Sequence, residues 1–179
     1  MSLLLATLLP GLLLIALGVP LLANSSRAVA ALKAMPRSQS AALLFFGAGA
    51  VWFLWNIWHL SPADFGNYRT ILAIGFAAVA ILAFKCVPDF LAVRGLCVLV
   101  LLAATPLLGA AYMEYQYPQR LFLVSLVYLL IALAIWLGAS PFRLRDFFEW
   151  LFARAGRTRG FGAALIGYGV LLALVAFTY

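Results

Sequence analysis

His59 is the only histidine of the chain, and it closes the stretch VWFLWNIWHL three residues after Asn56. On a helix that spacing puts the amide and the imidazole on one face. A neutral imidazole can bind haem iron, and the magnesium of a chlorin needs similar donation. Met113 sits at a matching depth and could complete a His/Met haem pair. Asp64, Arg69, Glu114, Gln116 and Arg120 fall in the loops on the same side. With Asn56 and His59 they are expected to form one polar cluster, because lipid offers no partners to polar groups. Pairing that ties the loops together is the plainer account of that cluster. A ligand or proton-handling role for His59 is the sharper one.

Lys85 is the other chemical candidate, since ionisable groups within spanning helices are costly and are functional candidates by default. It lies near the end of an apolar run, four residues before Asp89. A lysine that snorkels outward with Asp89 as counter-ion is the expectation, and a pathway or binding role is the alternative.

Catalysis has few other reagents here. The chain has five acids and one histidine, with no HExxH, GxSxG, CxxC, P-loop or GxGxxG pattern. No two acids share an apolar run, so acid–base work within a bilayer lacks its groups. Cys86 and Cys97 read as small core residues. The sequence requires no cofactor or metal, and an enzyme is disfavoured.

The elements that must position these residues follow from composition. Of 179 residues, 67% are hydrophobic and 9% charged, whereas a soluble domain has roughly 25% charged residues. So few charges cannot cover a water-soluble surface, and the class is integral membrane protein. The net charge of +7 does not indicate nucleic acid, because the basic residues sit in short gaps between apolar runs and not on one face.

A spanning helix needs about 20 apolar residues. Six runs meet or approach this, giving an all-α polytopic fold in one transmembrane domain, residues 1–179, with spans at 3–23, 41–62, 69–87, 95–113, 121–140 and 161–178. Ten basic residues lie in the first, third and fifth gaps and two in the others. The positive-inside rule then puts three hairpin closures in the cytoplasm and both termini outside. The first span lacks a basic leader and carries its charge behind it, so it reads as a retained helix, with cleavage after LLA as the alternative.

The longest gap opens with Ser140-Pro141, a helix-start signal. Leu144, Phe147, Phe148 and Leu151 follow at helical spacing. A cationic amphipathic helix over 141–155 is expected to lie on the cytoplasmic surface, anchoring the chain or docking a partner or anionic lipid. A shorter one is expected from Ser26 to Met35, stopped by Pro36.

Trp52, Trp55 and Trp58, with Tyr68, Tyr112, Tyr115 and Tyr117, form the aromatic belt of a bilayer boundary. Small residues recur at Gly47, Gly49 and Gly75, and Ala163/Gly167 and Gly169/Ala173 stand four apart. Such spacing lets helix backbones approach closely, within one chain or between subunits. Pro10, Pro20 and Pro106 could interrupt spans, but no internal repeat supports a transporter architecture.

These observations favour a non-catalytic subunit or scaffold of a larger assembly, self-associating or bound to other membrane subunits. A carrier or channel for a small or lipophilic solute comes second, and a haem- or chlorin-holding subunit using His59 third. Minimal loops and the lack of a eukaryotic targeting signal point to a bacterial cytoplasmic membrane.

Overall fold

The computed structural model describes all 179 residues. Eight helices account for nearly the whole chain: α1 (Leu3–Leu22), α2 (Ser26–Ala34), α3 (Gln39–Trp58), α4 (Arg69–Cys86), α5 (Leu91–Ala111), α6 (Leu121–Ala139), α7 (Phe142–Phe152) and α8 (Ala155–Ala176). Six of them, all but α2 and α7, are long and apolar enough to cross a membrane, as a multi-pass membrane protein requires. There is no strand.

Local chemistry sets the ends. Ser2 and Ser38 cap α1 and α3, their hydroxyls accepting from Leu5 N–H and Ala41 N–H at 3.4 and 3.3 Å. The second span stops at Trp58 and does not run to residue 62. Pro62 and a left-handed Phe65 (φ 65°) build a turn there, and Gly66 sits where a Cβ would strike the Ser61 carbonyl. The fourth span starts at Leu91, four residues before the expected 95, because left-handed Phe90 (φ 57°) breaks the chain just ahead of it. Arg94 thereby joins α5.

The last span begins at Ala155 and not at 161, so Arg157 and Arg159 enter its first turns. Positive charge near a helix N-terminus is electrostatically disfavoured. Arg157 is compensated by α7: its guanidinium lies 4.6 Å from the Trp150 ring centre, and Nη1 donates to the Trp150 carbonyl at 3.2 Å. Pro10, Pro20 and Pro106 lie inside continuous helices and interrupt none.

The spans joined at the basic end are not the ones that pack together. α1 runs antiparallel to α8, α3 parallel to α5, and α5 and α3 antiparallel to α6 and α4. The α1–α8 seam is glycine against glycine. A Cβ on Gly11 would reach the Gly169 carbonyl oxygen at 2.9 Å, and one on Gly18 would reach that of Gly162 at 2.8 Å. Seven-residue spacing on both helices brings the backbones together twice. Of the small-residue pairs in the last span, Gly169/Ala173 lies on this seam, whereas Ala163 and Gly167 are exposed.

α5 is the central helix. Gly95 lets it touch the α3 backbone at Phe46, and Ala104 and Ala111 share a core with Leu3, Ala6, Leu123 and Val127 of α1 and α6. α4 is the outlier, with no buried residue, held to α3 by two edge-to-face pairs, Phe46–Phe84 at 5.4 Å and Phe53–Phe76 at 5.0 Å. α7 turns Leu144, Phe148 and Leu151 into the protein, while Phe147 packs edge-on against Phe161. Its apolar stripe is therefore covered largely by α2, α6 and α8.

Candidate functional site

The polar residues at the far end divide between two loops. His59 caps α3, its Nδ1 2.8 Å from the Trp55 carbonyl oxygen and its ring 4.4 Å from the Trp55 ring. The carbonyl can only accept, so Nδ1 carries the proton of this contact. Asn56 is exposed with no side-chain hydrogen bond. Ser61 Oγ donates to Asp64 Oδ2 at 2.7 Å, and Arg69 Nε donates to the Gly66 carbonyl at 2.8 Å.

The second loop is tied within itself. Gln116 donates to Glu114 at 2.9 Å, and Arg120 donates to the Ala111 carbonyl and stacks 4.7 Å from the Tyr115 ring. No ion pair joins Asp64, Arg69, Glu114 or Arg120. The structure thus places these residues at the ends of their helices but does not unite them in one cluster. Each arginine is spent on carbonyl oxygens, where it completes a turn.

Met113 is exposed in a left-handed turn (φ 60°) after α5. No group of three or more His, Cys, Asp and Glu residues comes together to hold a metal ion. The hollows between the long helices are lined by neither His59 nor Met113.

A bonding pattern that single-residue inspection missed joins the far end of the bundle. Thr7 Oγ1 donates to the Leu3 carbonyl at 2.9 Å and meets the Tyr179 hydroxyl at 3.4 Å. The Tyr179 ring packs edge-on against Tyr117 at 5.4 Å, and Gln119 donates to Thr178 Oγ1 at 3.1 Å. Between α8 and α6, the Tyr168 hydroxyl donates to the Phe122 carbonyl at 2.9 Å.

Lys85 lies in the last turn of α4, exposed, where a cation faces the negative end of the helix dipole. Asp89 falls beyond the helix and makes no ion pair with it. This end holds ten of the twelve basic residues and three of the five acids, so the entire +7 belongs to it. Aromatic rings share the load: Lys33 lies 5.9 Å from Phe152, Arg37 5.3 Å from Phe90 and Arg143 5.1 Å from Trp136, measured to ring centres. The only ion pairs are those of Arg145 with Asp146 at 2.7 Å and Glu149 at 3.8 Å, and the hydrogen bonds Arg145 donates to Asp146 hold its pKa above the ordinary value.

Two apolar grooves lie among α1, α3, α4, α5 and α6, besides a shallower hollow between α3 and α4. One of about 390 Å³ opens between α3, α4 and α5, lined by residues such as Phe53, Phe76, Val79, Val98 and Leu101. Another of about 460 Å³ lies between α1, α3, α5 and α6 and includes Pro10, Trp52 and Pro106. The three tryptophans therefore differ: Trp52 lines this groove, whereas Trp55 and Trp58 are exposed beside α4. No Asp, Glu, His, Lys or Arg side chain lines either groove.

No protein-family model matches this chain, and no curated protein or solved structure matches it either.

Proposed function

We propose that this chain is a non-catalytic integral membrane subunit or scaffold, seated in a bacterial cytoplasmic membrane with its basic end inside and both termini outside. The observation that carries the reading is the outer face of α8. Gly156, Gly160, Ala163 and Gly167 recur at helical spacing on the side turned away from Gly162 and Gly169, and all four are exposed. A Cβ on any of the three glycines would meet nothing within 4 Å. Two helix backbones touch at Gly11, Gly18, Gly95, Gly162 and Gly169, whereas Gly47, Gly75 and Gly109 stand open singly on their helices. In lipid, close backbone approach is a principal means of helix association. An open glycine track on a spanning helix therefore fits a second helix, from another subunit or another copy.

Purification from native membrane in mild detergent tests this. A co-purifying chain or a stable self-association is expected, released by Gly160→Leu and Gly167→Leu while the separated chain stays folded. A lone monomer, before and after substitution, counts against it.

Carriage of a lipophilic solute is the second reading, favoured by the laterally open apolar grooves. Uptake into proteoliposomes distinguishes the two, because a scaffold alone supports no flux.

A further inference from the structure

The groove between α3, α4 and α5 has a neighbour at the basic end. Towards the basic end it is bounded by the Phe46–Phe84 pair, and beyond that pair a second hollow of about 250 Å³ is lined by Gln39, Leu43, Phe84 and Leu91. One stripe of α3 serves both: Gln39 and Leu43 stand at the basic end and Phe46, Ala50 and Phe53 further in. Arg94 lines neither hollow, but it lies four and seven residues before the lining residues Val98 and Leu101, hence on their helical face.

Arg94 is half-buried, and its guanidinium makes no ion pair, hydrogen bond or ring contact. The Gln39 side chain makes no hydrogen bond either. The one acid nearby, Asp89 in the α4–α5 turn, is exposed and unpaired, and Arg37, Lys85 and Arg94 outnumber it. The crevice is thus cationic at its mouth and wholly apolar along its length.

We propose that this crevice binds one anionic phospholipid, its phosphate at Arg94 and Gln39 and an acyl chain along Val98, Leu101, Phe53 and Phe76. Basic charge at one end and apolar walls beyond it suit a lipid. From Arg94 to Leu102 α5 rises about 12 Å at about 1.5 Å per residue. The groove holds about 390 Å³. A single chain fits, and the length suits a leaflet about 15 Å deep, half of the hydrocarbon core. Charge selects the headgroup, because anionic lipids are drawn to basic residues at the membrane surface. Shared small residues do the rest: Gly49 and Ala50 leave the hollow that larger side chains would close.

The test is native mass spectrometry of the full chain in detergent, titrated with phosphatidylglycerol and with phosphatidylcholine of identical acyl chains. One phosphatidylglycerol is expected to bind with preference over phosphatidylcholine, and Arg94→Gln is expected to reduce that preference about fivefold. Val79→Trp, at an exposed groove position, and Leu101→Trp are each expected to weaken both lipids, with melting temperatures reporting that the fold persists. An unchanged preference in Arg94→Gln overturns the headgroup assignment. Full affinity in both tryptophan variants overturns the groove, leaving only attraction to the basic surface.

Discussion

Gly11 of α1 and Gly169 of α8 meet backbone to backbone, each placed so that a methyl group would run into the other's carbonyl oxygen, at 2.9 and 2.6 Å. Neither helix can give way, since Gly18 and Gly162 repeat the contact two turns along. Gly169→Ala should therefore destabilise the bundle by about 1–3 kcal/mol, the range for overpacking a fitted interior. Gly167→Ala, two residues away in open space, should stabilise it by about 0.5–1 kcal/mol through helix propensity. Thermal melting of both variants in one detergent checks the pair, and equal shifts would refute the seam.

Thr158 is a second point of attachment. It is 1% exposed, and its hydroxyl donates to the Leu151 carbonyl at 3.2 Å, joining the start of α8 to the end of α7. Thr158→Val keeps the shape and leaves that carbonyl without the donor, at a cost of about 1–3 kcal/mol. Hydrogen exchange should rise in α7 before it rises in α1 or α5.

Arg157 and Arg145 look equivalent in the sequence and should not behave alike. Arg157 stacks on Trp150 and binds its carbonyl, whereas Arg145 pairs with exposed Asp146 and Glu149. Exposed ion pairs contribute little. Arg157→Ala should loosen α7 and red-shift the tryptophan emission assigned to Trp150, and Arg145→Ala should leave the emission unchanged. Trp150→Phe supplies the assignment.

Helix class and number are legible in the sequence because runs such as LFLVSLVYLLIALAIWL admit no other use. Boundaries within four to six residues of Leu91 and Ala155 are not, because a charge ends the apolar run in the sequence without ending the helix. Arg94 and Arg157 are instead carried inside helices, by a left-handed residue ahead of one and by aromatic stacking for the other. Helix neighbours are less legible still. Adjacency in the chain favours α1 with α3, whereas the glycines choose α8, and only the seven-residue spacing of Gly11/Gly18 and Gly162/Gly169 carries that choice. At the candidate site, residue types located His59, Arg69 and Arg120 at helix ends. They could not reveal that nearby carbonyl oxygens take up the imidazole N–H and both guanidinium groups.

The attachment of α4 yields the last prediction. None of its residues is buried, and Phe53–Phe76 and Phe46–Phe84 are its aromatic ties to α3. An edge-to-face pair contributes about 0.5–1.5 kcal/mol beyond the area it covers. Elements held by so few contacts open locally well before the whole structure does. Phe76→Ala should therefore raise amide exchange in α4 severalfold while the α1–α8 seam keeps its protection, and Phe76→Ala with Phe84→Ala should exceed either alone. Uniform exchange across all six long helices in the double variant would mean instead that α4 and the rest of the bundle unfold as one unit.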